Sequence, residues 1–211
     1  MTSDSIPPRT GLRRLRLLLW FLVGLVLVAM AAMTLMHRSP SVPQAQSTTV
    51  QSGFGGPFTL VGADSKPFPS SRLQGKPYAL YFGYTRCGDT CPTTLSRLVK
   101  LRAVAGRPDA LNIVFVTIDP ANDGPTEVGQ YAGLFNSPII GLTGSAAQID
   151  AVKKQFGTYA KPEPGAGKGM VMINHTATVL LFDRDGKFTG TITSDEPDSD
   201  ATAKLKTLTG A

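Results

Sequence analysis

Residues 81–92 read Tyr81-Phe-Gly-Tyr-Thr-Arg-Cys87-Gly-Asp-Thr-Cys91-Pro92, and this stretch contains both cysteines of the 211-residue chain. The apolar, aromatic run from Tyr78 to Tyr84 has the length and composition of a buried β-strand. Proline is favoured in the first turn of a helix, so Pro92 predicts a helix directly after this strand. The cysteines are therefore expected at the carboxyl end of a strand, where open α/β sheets bind ligands. Helix-start N–H groups at that position are expected to lower the pKa of a thiol.

The sequence after the cysteines predicts a strand–helix–strand unit. An apolar side spaced for a helix runs from about Pro92 to Ala105, with Thr90 or Cys91 as its cap. Leu111 to Ile118 is nearly all apolar, as in a parallel strand covered on both faces. The three elements predict a right-handed βαβ unit.

Shorter patterns predict the elements around this unit. The first is a hairpin of Phe58–Val61 with the region near Phe68, and a helix from Pro125 or Thr126 and a strand Ile139–Leu142 come later in the chain. The next is a helix Ala146–Phe156, opened by a Ser145/Gln148 capping box. The last are a hairpin of Thr176–Phe182 with Phe188–Ile192, which turns at Asp185-Gly186, and a helix after Asp198. A βαβ unit joined to a hairpin and a terminal helix is the layout of a thioredoxin-like fold. The predicted class is α/β, with a central mixed sheet flanked by helices.

The N-terminal part has a different composition. Residues 1–16 form a short basic tail, and Leu17 to Met36 is a run of twenty uncharged residues, about the length that spans a bilayer. A cleaved signal peptide is the alternative, because Ala29-Met-Ala31 fits a small-x-small cleavage site. The apolar run continues past that site, which favours an uncleaved transmembrane anchor. Residues 37–56 have the composition of a linker, and residues 57–211 are expected to form one exported domain.

Most of the net charge of +6 belongs to the N-terminal part. Residues 1–38 carry +4 and residues 39–211 carry +2. The exported part has no basic stripe interleaved with aromatic residues, so no nucleic-acid partner is expected. The high isoelectric point therefore comes chiefly from the arginines of the N-terminal part, which indicate how the chain is oriented in a membrane.

The third candidate ligand is a histidine. Of the two histidines, His175 follows a Gly/Pro-rich loop, Lys161–Gly169, that can present it beside the cysteines. Two thiolates and one neutral imidazole form a soft trigonal donor set that suits Cu(I), and one more oxygen ligand would complete it for Cu(II). Zinc accepts the same three donors, so the residues alone leave the metal open.

The chain resembles the Sco (SenC) family of copper metallochaperones over nearly the whole exported domain. The matching motifs are Leu73-Gln-Gly-Lys-Pro77, Tyr81-Phe-Gly-Tyr-Thr85, Cys87-Gly-Asp-Thr-Cys-Pro-Thr-Thr-Leu95, Phe115-Val-Thr-Ile-Asp-Pro120, Gly141-Leu-Thr-Gly144, Asn174-His-Thr176 and Leu181-Phe-Asp-Arg-Asp-Gly186. The resemblance implies a membrane-anchored thioredoxin-like domain whose Cys87, Cys91 and His175 bind one copper ion, Cu(I) or Cu(II). It implies delivery of that ion to the copper site of cytochrome c oxidase.

The resemblance also implies a location and partners. The expected location is a bacterial inner membrane with the soluble domain on the periplasmic side, or the mitochondrial inner membrane facing the intermembrane space. The expected partners are the copper-site subunit of the oxidase, the membrane, and a thiol reductant or copper donor protein.

Three positions depart from the family pattern. Gly88 stands where the family usually has proline after the first cysteine, and Asn174 stands where it usually has aspartate before the histidine. Losing that carboxylate is expected to change the orientation of His175 or to weaken Cu(II) relative to Cu(I). The family's Asp-Pro-x-Arg-Asp run is Asp119-Pro-Ala-Asn-Asp123 here and lacks the arginine.

Other interpretations of the same residues stay open. Cys87 and Cys91 could form a structural disulfide, although a bridge closing so short a loop adds little stability. As a reversible disulfide the pair would switch copper binding off, and it would also suit a thiol–disulfide oxidoreductase that reduces a copper-site apoprotein. The chain is therefore either a metallochaperone with no turnover of its own or an enzyme of that kind. Asp119, Asp123, Met170 and Met172 lie nearby in sequence and are not assigned as ligands.

Overall fold

A computed structural model of the chain describes residues 10–36, 54–106, 109–163 and 172–210. The chain divides into two units, residues 1–50 and residues 51–211. The first part of the basic tail, most of the expected linker, and the larger part of the Gly/Pro-rich loop with Met170 lie outside the described residues.

The described part of the first unit is the helix α1, from Thr10 to Met36. The side chains of residues 17–30 are exposed, and most of them are large and apolar. When only the described residues are counted, no helix has an apolar stretch long enough to cross a membrane. The span expected at residues 17–36 stays a prediction.

The second unit is built on a central mixed sheet, as predicted. The strands along the chain are β1 Thr59–Gly62, β2 Pro67–Pro69, β3 Tyr78–Gly83, β4 Asn112–Thr117, β5 Ile140–Thr143, β6 Ala160–Pro162, β7 Ile173–His175, β8 Val179–Phe182 and β9 Phe188–Ile192. Seven of them form one sheet in the order β2-β1-β5-β4-β3-β8-β9. The β3–β4 and β4–β5 pairs are parallel, and the other pairs of this sheet are antiparallel.

In the part of the second unit that is described, four α-helices accompany the sheet: α2 Thr90–Ala105, α3 Pro125–Gly133, α4 Ala146–Gln155 and α5 Asp198–Thr209. One turn of 3-10 helix, Ser70–Leu73, follows β2. The βαβ unit β3–α2–β4, the β8–β9 hairpin and the terminal α5 confirm the predicted layout. The predicted capping box of α4 is also present, because Ser145 Oγ accepts from the Gln148 backbone and Gln148 Oε1 accepts from the Ser145 backbone.

The centre of the sheet positions the functional residues. Every residue of β3 is buried, as expected for a strand covered on both faces. In the parallel register Gly83, the last residue of β3, lies beside Thr117, the last residue of β4. The loops that follow the two strands therefore leave the sheet at the same edge, and the first of these loops carries Cys87.

The small hairpin β6–β7 was not predicted. Its two strands pair antiparallel as a separate sheet, with Ala160 opposite His175. His175 therefore ends β7 instead of preceding a long strand, and the next strand, β8, begins only at Val179. Strands of three residues that include Pro162 and Lys161 give no alternating pattern that sequence reasoning could detect.

Candidate metal centre

The structure brings the three predicted ligands together. The Sγ atoms of Cys87 and Cys91 and a ring nitrogen of His175 all lie within 4.8 Å of one another. Cys91 Sγ is 3.5 Å from His175 Nε2, although 84 residues separate the two along the chain. Both cysteines are free thiols. Two soft sulfur donors and one imidazole nitrogen therefore converge on one point.

The helix that carries Cys91 begins earlier than predicted. Thr90 is its first residue and Asp89 its N-cap, so the predicted cap at Thr90 or Cys91 is wrong by one or two residues. The Asp89 side chain makes no capping hydrogen bond. Instead, the Cys91 backbone N–H donates to Cys87 Sγ at 3.3 Å, so the first thiol satisfies a free donor of the helix start.

The expectation of a lowered thiol pKa is wrong for Cys91. Cys91 is the second residue of α2 and its side chain is fully buried. This burial raises the pKa of Cys91 to about 12. Loss of hydration opposes the thiolate more strongly than the helix-start N–H groups favour it. Cys91 is therefore a protonated thiol at neutral pH, and a metal must displace its proton in order to bind.

His175 is oriented and neutral. Its Nδ1 lies 3.1 Å from the carbonyl oxygen of Thr176. A carbonyl oxygen can only accept, so Nδ1 carries the hydrogen and Nε2 presents a lone pair to Cys91. Burial lowers the pKa of His175, which keeps the ring uncharged at pH 7. The rings of Tyr81 and Tyr84 meet the imidazole edge-on, with centroids 6.3 and 5.9 Å away.

Gly83 makes the close approach of Cys91 to the sheet possible. A Cβ atom at this position would lie 2.9 Å from Cys91 Sγ and 3.0 Å from the ring of Phe115. Both neighbours are fully buried, so neither has free space to move into. A glycine inside an otherwise bulky strand is a sequence signal of close packing, but the sequence does not reveal which atom approaches it.

We expect Gly83→Ala to destabilise the protein and to displace the Cys91 thiol. Forcing one extra carbon into this packed position costs about 1–3 kcal/mol of unfolding free energy. Gly190→Ala is the matched control, because it is also a glycine in a strand but has no described atom within 4 Å of its added Cβ. Urea unfolding and metal titration of both variants check this. Equal behaviour of the two would contradict the tight approach.

A buried carboxylate, that of Asp123, holds the start of the cysteine loop. Asp123 is completely buried. Its side chain accepts from the Thr85 N–H at 2.9 Å, the Thr85 hydroxyl at 2.6 Å and the Thr117 hydroxyl at 2.6 Å. Thr85 precedes Cys87 by two residues, so Asp123 ties the cysteine loop to the end of β4. The sequence alone assigns no role to Asp123, because nothing in its pattern links Asp123 to Thr85, 38 positions away.

Asp123→Ala should lower the free energy of unfolding by about 2–4 kcal/mol, because one buried donor of Thr117 and two partly buried donors of Thr85 lose their acceptor at once. Asp150→Ala is the control, since this carboxylate pairs with Lys153 on an exposed face of α4 and its loss should change stability little. The shift of the urea midpoint in the two variants measures the difference. Equal small shifts would show that the Asp123 contacts do not stabilise the loop.

A second carboxylate, that of Asp119, secures the residue before Cys87. Arg86 Nη2 lies 2.8 Å from Asp119 Oδ2. The Asn122 amide donates to both oxygens of the same carboxylate, at 2.9 and 3.0 Å. Asn122 stands at the arginine position of the family's Asp-Pro-x-Arg-Asp run. In this chain the guanidinium that pairs with Asp119 comes from Arg86, in the cysteine loop. The ion pair joins the two loops that leave β3 and β4.

A cleft of about 690 Å³ opens beside Cys87 and His175. Met172, which is 49 % exposed, and Asn174 also line it. Asn174 precedes His175 in β7, and the contact of the described His175 ring with a backbone carbonyl is to Thr176. The expected effect of Asn174 on the orientation of His175 or on the preference for Cu(I) stays a prediction.

Comparisons with known proteins agree with this fold. The SCO1/SenC family model matches residues 46–210. An SCO2-like protein of Rickettsia conorii is 32% identical over 157 residues, which are 72% of this chain and 76% of that protein. The mitochondrial protein SCO2 of Saccharomyces cerevisiae is 35% identical over 137 residues, which are 64% of this chain. The aligned part is 46% of the yeast protein, so the chain covers less than half of that relative.

Among solved structures, ScoI of Bradyrhizobium japonicum with copper bound has a TM-score of 0.66 and 34% identity. That match covers 74% of this chain and 99% of the ScoI chain. The family model covers most of the chain, and the relatives agree with it in sequence and in fold. The chain belongs to the SCO1/SenC family.

Proposed function

We propose that this protein binds one copper ion through Cys87, Cys91 and His175 and delivers it to the copper site of cytochrome c oxidase. The observation that carries the proposal is the convergence of two sulfur atoms and Nε2 of a neutral imidazole within 4.8 Å. Soft sulfur ligands favour Cu(I), and the imidazole suits either oxidation state of copper. The related ScoI structure has copper bound. The oxidase as target comes from the resemblance to the family.

The surroundings of the site suit a cargo ion that must leave again. Cys91 is buried, whereas Cys87 is partly exposed and faces the cleft together with His175. A receiving protein can therefore approach the ion through the cleft. An exchange of ligands could begin at Cys87 while Cys91 still holds the metal.

The second candidate is a thiol–disulfide oxidoreductase acting on the cysteines of a copper-site apoprotein. The free thiols of Cys87 and Cys91, four residues apart, favour it. The raised pKa of Cys91 does not separate the two functions, because both copper binding and the resolution of a mixed disulfide require its proton to leave. Zinc binding by the same three donors is a further alternative.

A transfer experiment separates these candidates. The full-length reduced protein, loaded with one equivalent of Cu(I), is mixed with the copper-free copper-site subunit of the oxidase from the same organism. We expect copper to move to the subunit, and no transfer from the protein whose cysteines are oxidised to the disulfide. If the metal-free dithiol form reduces a disulfide of the subunit while the loaded form donates no copper, the oxidoreductase is correct.

We further propose that residues 17–36 anchor the chain in a membrane, with residues 1–16 on the cytoplasmic or matrix side and residues 57–211 outside. The support is the uncharged run in the sequence and the arginines before it. A bacterial inner membrane facing the periplasm and a mitochondrial inner membrane fit equally. Carbonate extraction with N-terminal sequencing tests the anchor, and a soluble mature chain beginning near Ala32 would contradict it.

A further inference from the structure

The β6–β7 hairpin, residues 159–163 with 172–176, carries His175 but stands apart from the central sheet. Its two strands pair only with each other. A two-stranded hairpin is at best marginally stable by itself. The side chains of Ala160 and Ile173 pack against the hydrophobic core, but apolar packing is not directional. The orientation of His175 over the cysteine loop therefore depends on directional contacts.

Tyr84 makes one of these contacts. In the described part of the chain, two hydrogen-bond contacts join the hairpin to the rest of the domain. Cys91 Sγ lies 3.5 Å from His175 Nε2, and the Ile173 N–H donates to the Tyr84 hydroxyl at 3.3 Å. The first contact joins two of the proposed ligands, so a bound copper ion would take its place. The contact with the Tyr84 hydroxyl involves no ligand atom.

The backbone of the hairpin explains why Ile173 needs this partner. The Met172 carbonyl accepts from the Glu163 N–H at 2.9 Å, so Met172 turns its backbone groups toward the other strand. Along an antiparallel pair, residues that bond to the opposite strand alternate with residues that do not. Ile173 is the next residue and turns its N–H away from β6. The Tyr84 hydroxyl accepts this outward-facing hydrogen.

Tyr84 also contacts the cysteine loop and the histidine itself. Its carbonyl oxygen accepts from the Cys87 N–H at 3.2 Å. Its ring meets the His175 imidazole edge-on, with the two centroids 5.9 Å apart. Tyr84 is buried and directly follows β3. One residue at the end of a central strand therefore contacts both parts of the proposed site.

We propose that the Tyr84 hydroxyl is a positioning group that holds β7 over the cysteine loop, so that His175 is in place before copper binds. This inference rests on the proposed function, since it concerns the copper site. A protein that must first order its ligand binds with a lower apparent affinity, because only the ordered fraction is competent. Tyr84 raises that fraction, and it acts on the ion through His175.

Tyr84→Phe removes the hydroxyl and keeps the ring. We expect the Ile173 amide hydrogen to exchange with solvent roughly two- to tenfold faster, the factor for losing one ordinary hydrogen bond. The affinity for Cu(II) should fall by a similar factor, because Cu(II) needs the imidazole as a ligand. The affinity for Cu(I) should fall less, because Cu(I) accepts two thiolates alone. The reduction potential of the bound copper should therefore rise.

A second background separates positioning from a general effect on the fold. In the His175→Ala protein the imidazole is absent, so adding Tyr84→Phe should change neither copper affinity any further. An effect that reached the copper through the fold or through the cysteines would persist in this background.

Tyr131→Phe is the matched control for removing a buried hydroxyl. The Tyr131 hydroxyl has no hydrogen-bond partner among the described residues, and its ring packs on Phe115 and Phe135. We expect this variant to keep the wild-type exchange rate at Ile173, both copper affinities and the reduction potential.

The test uses full-length wild-type protein, Tyr84→Phe, Tyr131→Phe, His175→Ala and the double variant Tyr84→Phe/His175→Ala. NMR follows amide exchange in the metal-free dithiol form, and competitive titration gives the affinities for Cu(I) and Cu(II). Faster exchange at Ile173, a larger loss of Cu(II) than of Cu(I) affinity in Tyr84→Phe, and no further loss in the double variant support the proposal.

Three results would overturn it: unchanged exchange at Ile173 in Tyr84→Phe, the same losses in Tyr131→Phe, or a further loss in the double variant. A wild-type protein that binds no copper overturns the proposed function. Copper binding that Tyr84→Phe leaves unchanged overturns this inference alone, so the two failures are distinguishable.

Discussion

Cys91→Ser should lower the affinity of the reduced protein for Cu(I) by about a thousandfold or more. The substitution exchanges a soft thiolate for a hydroxyl that stays protonated and is a poor ligand for Cu(I). The loss should exceed the 10–100-fold effect typical of residues that only support a ligand. Competition against a chromogenic Cu(I) chelator, under anaerobic reducing conditions, measures the change.

Two further variants make this result interpretable. Cys87→Ser should cause a loss of similar size, and because Cys87 is partly exposed it disturbs packing less than the buried Cys91. Thr90→Ala, an exposed change between the two cysteines, should leave the affinity unchanged. Wild-type affinity in either serine variant would show that the dithiolate is not the binding site.

His175→Ala should separate the two oxidation states of copper. Two thiolates alone give a linear site that Cu(I) accepts, whereas Cu(II) needs more donors. We therefore expect the affinity for Cu(II) to fall about a hundredfold and that for Cu(I) about tenfold. Each tenfold difference between the two losses raises the reduction potential of the bound copper by about 59 mV, the value for one electron. Titration in both oxidation states, together with the measured potential, checks this.

The other histidine of the chain provides the matched control. His37 lies outside the described residues and was not predicted as a ligand. His37→Ala should therefore leave both affinities and the potential unchanged. Equal losses of Cu(I) and Cu(II) affinity in His175→Ala, or no loss at all, would remove His175 from the site.

The sequence predicts the centre of the fold well, because that part depends on local patterns. The strand from Tyr78, the helix ending at Ala105 and the capping box at Ser145 each carry a signal within a few residues. Burial of β3 and β4 on both faces follows directly from their apolar composition. The meeting of His175 with the cysteines was expected from the family resemblance and from the loop before it.

What the sequence does not predict depends on contacts between distant residues. The raised pKa of Cys91 follows from burial against Gly83 and Tyr81, which its place at a helix start does not indicate. The roles of Asp119 and Asp123 require knowing that the loops after β3 and β4 meet. The β6–β7 hairpin is too short for any periodicity, so its strands can be recognised only from their pairing.

Copper X-ray absorption spectroscopy of the full-length reduced protein, loaded with one equivalent of Cu(I), tests the central claim most directly. The proposed site predicts one copper per chain with two sulfur ligands and one imidazole nitrogen. The His175→Ala protein should lose the nitrogen and keep both sulfurs. A copper shell of nitrogen or oxygen alone in the wild-type protein would contradict the site formed by Cys87, Cys91 and His175.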